Sequence, residues 1–151
     1  MTGPEIPEKI GPYKVVRKLG EGGMGAVYEA LHEAIGRRVA IKVLLSSFAK
    51  DAQFTSRFFN EARAVNVVEH PGLVQISDFG QLPDGAAYLV MELLNGESLA
   101  RRISAARGPL PVGDVVSLTW QLADSLAAAH AKGIVHRDDY VISRVCFQVD
   151  H

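Results

Sequence analysis

A glycine-rich stretch between two strand-like segments is the feature that most restricts the fold of this chain. LGEGGMGAVYEA, from Leu19 to Ala30, contains Gly20-x-Gly22-x-x-Gly25. Dinucleotide-binding folds carry the same glycine spacing directly before a helix, and simple flexible turns are also rich in glycine. Here the strand-forming letters AVY follow the glycines, which predicts a hairpin between two antiparallel strands. A hairpin tip without side chains can lie over a triphosphate and offer its backbone N–H groups.

The rest of the chain is predicted to be an α+β fold. Strand-like patterning covers YKVVRKL, AVYEA and RRVAIKVLL, and LVQISDF and AAYLVMEL form a hairpin through the turn LPDG. The period becomes helical over residues 53–68, with Phe54, Phe58, Ala62 and Val65 on one face. Further helices are expected over about 98–106 and 111–132. The prediction is a five-stranded antiparallel sheet with one helix inserted, followed by a helical region.

Charge and composition exclude several function classes. Sixteen basic and 17 acidic side chains give a formal net charge of -1, which gives no electrostatic reason to expect binding to nucleic acid or to an anionic membrane. The single Cys146 rules out an internal disulfide and a cysteine metal cluster, and the histidines show no metal-ligand spacing. No apolar run has the length of a membrane span, and no signal peptide is recognised, so the expected location is cytoplasmic.

A lysine and a glutamate are candidate partners. Lys42 ends the apolar run VAIK, and Glu61 lies three residues after Phe58 and four before Val65, on the apolar face of the predicted helix. A carboxylate on that face needs a partner, because burying it unpaired costs several kcal/mol. A lysine held by a glutamate under a glycine-rich hairpin is suited to binding phosphate oxygens. A solvent-exposed lysine at a strand edge is the alternative.

The motifs GEGGMGAV, VAIK, a helix glutamate, HP, YLVMELL and KGIVHRD occur in the order typical of one family. From about Gly11 to Asp138 the chain resembles a eukaryotic-like bacterial Ser/Thr protein kinase. The resemblance implies a kinase small lobe over residues 11–94 and a partial large lobe over 95–151, after an N-terminal tail of residues 1–10. It also implies an ATP cleft and Mg²⁺ as the metal of the reaction.

The resemblance assigns roles to single residues. Catalytic roles fall to Asp138, which would accept the proton of the substrate hydroxyl, and to Lys42 with Glu61. Adenine would lie under Leu19, Val27 and Ala40, with Met91 behind it and the backbone of Glu92 and Leu94 at its edge. The residues expected around the phosphates are Lys42 and the hairpin residues Gly20, Glu21, Gly22, Gly23, Met24, Gly25 and Ala26.

A second short motif is interpreted by its place in the chain. SDFG, at Ser77–Gly80, spells the metal-binding Asp-Phe-Gly of kinases, but it precedes HRD at His136–Asp138, whereas the family has it after HRD. We therefore interpret Asp78 as a polar residue at a strand end and not as a metal ligand.

The residues after Asp138 depart from the family pattern Leu-Lys-Pro-x-Asn. Tyr140 occupies the lysine position and Ser143 the position of the Mg²⁺-binding asparagine, and no second Asp-Phe-Gly follows. The expectation is that the protein ligands of Mg²⁺ are missing and that phosphoryl transfer is very low or nil. Val145 matches the apolar floor of the adenine pocket, so VCFQV is either a strand under the nucleotide or an apolar tail.

Three hypotheses remain open: a Ser/Thr protein kinase that transfers the γ-phosphoryl of ATP to an unidentified protein, a non-catalytic ATP-binding module, and a truncated product without a function. The helix over 111–132 carries an apolar stripe that a complete large lobe would cover, with Trp120 near it. Its members are Val115, Leu118, Leu122 and Leu126. Left uncovered, the stripe predicts self-association.

Overall fold

The computed structural model describes residues 7–23, 25–49 and 51–134, without the side chains of Ser46, Ala49 and Glu61. These residues contain six strands and four helices. The strands are β1 (Lys9–Ile10), β2 (Tyr13–Gly22), β3 (Gly25–His32), β4 (Arg37–Leu44), β5 (Ile76–Gln81) and β6 (Ala87–Glu92). The helices are α1 (Ser46–Ala49), α2 (Ala52–Asn66), α3 (Leu99–Ala105) and α4 (Val112–Ala131). Because β3 follows the glycines and pairs antiparallel with β2, the dinucleotide-binding alternative is excluded.

The strands form one antiparallel sheet in the order β1-β2-β3-β4-β6-β5. The five predicted strands are confirmed as β2 to β6, and the predicted helix is confirmed as α2, between β4 and β5. A sixth strand, β1, was not predicted, because two residues are too short to show a period. It lies within the segment interpreted as a tail, yet Ile10 is fully buried and pairs with Tyr13.

One face of the sheet carries the core of the strands. Tyr28, Ile41 and Val90 are paired across β3, β4 and β6, and all three are buried. Since side chains alternate along a strand, residues two positions away share this core face. The whole cluster consists of Ile10, Tyr13, Ala26, Tyr28, Ala30, Val39, Ile41, Tyr88 and Val90.

The chain divides into two compact units. The first contains the described residues up to Arg63 together with Gln75–Leu93, and therefore the whole sheet. The second contains Ala64–Val74 and the described residues from Leu94 to Ile134, with α3 and α4. In the second unit Val68, Leu73 and Ala129 form a buried cluster.

The helices follow their local signals. Asp51 caps α2, because its Oδ1 accepts the N–H groups of Gln53 at 2.9 Å and Phe54 at 3.2 Å. Ser98 caps α3 in the same way through the N–H of Arg101, at 3.2 Å. Gly133, with φ 72°, ends the turn after α4. Among the described residues, no helix combines the length and apolar character needed to cross a membrane.

Candidate functional site

Two rows of side chains cross the sheet on the face opposite the core. In one row Val27 pairs with Lys42 and Lys42 with Leu89. In the other Ala40 pairs with Met91. Directly paired residues share a face, and so do residues two apart in a strand. Val27, Ala40, Lys42 and Met91 therefore lie on one surface, called the site face below, as the predicted adenine and phosphate contacts require.

Two β-bulges bring β2 onto this surface. The pairing of β2 with β3 shifts between Val15 and Arg17 and again between Lys18 and Gly20. A bulge sets two residues of one strand opposite a single residue of its neighbour. At the second bulge Leu19 and Gly20 oppose Val27. Without the first bulge Lys18 would oppose Val27, so the first shift in register is what brings Leu19, directly before the glycine-rich hairpin, beside Val27 in the predicted adenine roof.

The glycines of the hairpin differ in whether neighbouring atoms leave room for a side chain. A Cβ on Gly25 would lie 2.0 Å from the backbone oxygen of Val43, so the close approach of β3 to β4 demands glycine there. A Cβ on Gly20, Gly22 or Gly23 would meet nothing within 4 Å. Each extended glycine costs about 0.5–1 kcal/mol of backbone entropy relative to alanine. The described residues give no steric reason for glycine at these three positions, and the close approach of a ligand there stays a prediction.

The predicted Lys42–Glu61 pair stays a prediction. Lys42 is half-buried at the center of the sheet, between Val27 and Leu89. Glu61 occupies α2 between Phe58 and Ala62, which are both buried. The side chain of Glu61 lies outside the described part of the structure, as do all atoms of Met24 and Asp138.

Glu92 is held by the segment before β5. Its N–H donates to the Gln75 carbonyl at 3.2 Å, and its Oε1 accepts the Gln75 N–H at 3.0 Å. The N–H of Glu92 is thus already used, and the contact of its backbone with an adenine edge stays a prediction. Leu94 belongs to the second unit, and its role stays a prediction.

The expected absence of protein ligands for Mg²⁺ stays a prediction. Within residues 7–23, 25–49 and 51–134, no group of three or more His, Cys, Asp or Glu side chains is placed to hold a metal ion. The carboxylate of Asp78 accepts the Tyr13 hydroxyl at 3.5 Å and the Phe79 N–H at 2.8 Å. Asp138 and Ser143 lie outside the described residues.

A buried carboxylate on the site face was missed by the sequence reasoning. Glu29 follows Val27 by two residues and pairs with Ala40, and it is only 1% exposed. Its Oε2 accepts the Nε–H of Arg17 at 2.7 Å, and its Oε1 forms an ion pair with Arg38. The available signal was the single acid of AVYEA, two residues after Val27, between strands that each carry arginine.

Comparison with known proteins agrees with this geometry. The sequence matches the protein kinase domain family over residues 13–138. It is 45% identical over 135 residues to the serine/threonine-protein kinase Pkn1 of Myxococcus xanthus, covering 89% of this chain and 19% of that protein. It is 42% identical over 132 residues to PknA of Mycobacterium tuberculosis, covering 85% of this chain and 30% of that protein.

The fold is also similar to a solved kinase structure. The PknI kinase domain of Mycobacterium tuberculosis superposes with a TM-score of 0.72 at 31% identity, covering 85% of this chain and 53% of that one. The chain therefore spans about half of that domain, and less than a third of the two curated relatives. The match over residues 13–138, with these relatives, shows that the chain belongs to the protein kinase family, among the eukaryotic-like Ser/Thr kinases of bacteria.

Proposed function

We propose that this chain binds ATP on the site face. The observation that carries the proposal is the contrast among the hairpin glycines, since Gly25 is required by the fold and Gly20 and Gly22 are not. Val27, Ala40 and Met91 supply an apolar surface for adenine on the same face as Lys42, which would pair with the phosphates. Bound ATP would supply the phosphoryl group, while these residues bind and orient it.

Alanine substitution of the glycines tests the proposal. Gly20→Ala should weaken binding of a fluorescent ATP analogue while the urea midpoint of unfolding stays equal or rises slightly, because the added methyl group meets open space. Gly25→Ala is the matched control. Its methyl group would clash with the Val43 backbone, so we expect a loss of about 1–3 kcal/mol in the free energy of unfolding. Unchanged nucleotide affinity in Gly20→Ala contradicts the proposed site.

Protein kinases use ATP with Mg²⁺ and phosphorylate proteins, and we propose that this chain retains the binding step more fully than the transfer step. Asp138 matches the family's catalytic aspartate, but Tyr140 and Ser143 replace the lysine and the Mg²⁺-binding asparagine expected after it. Phosphoryl transfer depends on positioning and on charge neutralisation by metal ions. Transfer to Ser or Thr of a protein acceptor is therefore expected to be weak.

We further propose that the chain self-associates through α4. The predicted stripe is partly covered, because Leu118 is buried and Leu122 and Leu126 are half-buried. The exposed apolar line instead runs through Val112, Val116 and Trp120, which are 78%, 61% and 67% exposed. These residues are four apart and so lie on one side of the helix.

A further inference from the structure

Two shifts in register interrupt the pairing of β2 with β3 just before the glycine-rich hairpin, so the register of β2 is weakly specified there. Only Arg17 and Lys18 are paired with β3 between the two bulges, opposite Glu29 and Tyr28. A slip of one residue in a strand moves its side chains to the other face of the sheet. A slip here would remove Leu19 and Gly20 from their place opposite Val27. Something must hold this two-residue segment.

The ion pair between Arg17 and Glu29 lies within that segment. The Glu29 carboxylate is buried, and the Arg17 Nε–H donates to it at 2.7 Å across a directly paired position. A buried carboxylate that loses a partner is strongly penalised. Any register that separates Arg17 from Glu29 is therefore disfavoured.

Arg38 binds the same carboxylate from β4, but its surroundings differ. The pairing of β3 with β4 is continuous from Gly25 to His32 without any shift in register. Eight paired positions already fix β4, so the ion pair of Arg38 is not needed to set its register. The two arginines share one carboxylate and similar exposure, yet only Arg17 acts on a strand with an uncertain register.

We propose that Glu29 and Arg17 are positioning residues for nucleotide binding, because their ion pair fixes the register of the bulged strand that carries Leu19 and the glycine-rich hairpin. The proposal rests on the proposed binding of ATP to the site face. It assigns Arg38 a supporting role in stability alone.

The experiment compares Arg17→Gln with Arg38→Gln in the full 151-residue chain. Arginine variants are chosen because each leaves Glu29 one cationic partner. Three quantities are measured: the Kd of a fluorescent ATP analogue, the urea midpoint, and amide hydrogen exchange across residues 17–22. We expect Arg17→Gln to raise the Kd about tenfold, within the range of coupled neighbours, and to speed exchange at Lys18–Gly20. Both variants should lower the urea midpoint by a similar amount, but Arg38→Gln should change the Kd less than about twofold.

Arg17→Lys keeps the charge and should restore most of the affinity. Equal changes in Kd for the two glutamine variants, in proportion to their loss of stability, would overturn the proposal. If the unsubstituted chain does not bind the analogue, the proposed function fails, and hydrogen exchange alone decides the inference. Faster exchange at Lys18–Gly20 in Arg17→Gln and not in Arg38→Gln then supports the register role, and equal exchange in both refutes it.

Discussion

Asp78, Phe79 and Gly80 spell a catalytic motif, and each of the three makes a packing contact within the first unit. Asp78 accepts the Tyr13 hydroxyl, which joins β5 at one edge of the sheet to β2 near the other. The Phe79 ring lies 4.9 Å from that of Phe59 on α2. A Cβ on Gly80 would lie 2.6 Å from the hydroxyl of Tyr88, its cross-strand partner. Asp78 and Gly80 thus contact other strands of the sheet, and Phe79 contacts α2.

If Asp78 serves packing, Asp78→Asn should not change how ATP binding depends on Mg²⁺. Asparagine can still accept the Tyr13 hydroxyl, so we expect a loss below about 1.5 kcal/mol in the free energy of unfolding. Calorimetric titration with ATP, with and without Mg²⁺, should give the same Mg²⁺ dependence for both proteins. A loss of that dependence in the variant would identify Asp78 as a metal ligand and refute the packing interpretation.

The buried tyrosines predict a pH dependence of stability. Burial raises the pKa of the Tyr88 and Tyr13 hydroxyls above the ordinary value, and the negative charge of Asp78 adds to the effect. Tyrosine in an unfolded chain ionises near pH 10. Above that pH the unfolded chain has lost protons that the folded chain retains, so the free energy of unfolding falls. The stabilising contribution is complete below pH 10 and is lost as the pH rises through the folded pKa values.

Urea unfolding between about pH 9 and 11 measures this fall. Lysines also titrate in this range, so the comparison is with Tyr88→Phe, whose stability should decline less steeply. Parallel declines in the two proteins would show that Tyr88 contributes nothing to the pH dependence.

At the scale of elements, the turn before β5 packs closely against α4 at a glycine. A Cβ on Gly72 would lie 2.0 Å from the Oγ of Ser125, whose side chain is fully buried and donates to the Gln121 carbonyl at 2.8 Å. Beside it, His70 Nδ1 accepts the Gly72 N–H at 3.1 Å and Nε2 lies 3.0 Å from Asp124 Oδ2. The turn is thus held against α4 by both shape and hydrogen bonds.

Gly72→Ala should therefore lower the free energy of unfolding by about 1–3 kcal/mol, as overpacking does. Adding Ser125→Gly removes the side chain that the new methyl group meets, so the double variant should lose less than the sum of the two single variants. Thermal unfolding of the four proteins measures this coupling. Additive losses would mean that Gly72 and Ser125 do not limit each other.

The strands show which part of the sheet the sequence could predict. Runs of strand-forming residues identify β3, β4 and β6. They do not alternate clearly in β6, because Leu89 on the site face is as fully buried as Val90 on the core face. The bulges of β2 escape prediction, since an inserted residue such as Val16 breaks the period of two without any local turn signal. Glu29 escapes for a related reason, because its arginine partners lie on other strands and become neighbours only once the register is known.

At the scale of the whole molecule, the family predicts a reaction and the residues after Asp138 predict that it is slow. Incubated with ATP, Mg²⁺ and a generic protein substrate, the chain should transfer phosphate barely above background. Asp138→Asn should change that rate little, because the positions of the family's lysine and asparagine hold Tyr140 and Ser143. Scintillation counting of labelled substrate measures both. Robust transfer that Asp138→Asn abolishes would show that other residues of this chain complete the metal site.

Self-association is the last property predicted for the molecule as a whole. Val112, Val116 and Trp120 expose an apolar line along α4, and burying each such side chain stabilises an assembly by about 1.5–3 kcal/mol. We expect a dimer or larger species in gel filtration with light scattering, shifting toward monomer on dilution. Trp120→Lys should favour the monomer. Ile35→Lys, which replaces an equally exposed apolar residue of the first unit, should not. A monomer at all concentrations, or equal effects of both lysines, would show that α4 is not the contact surface.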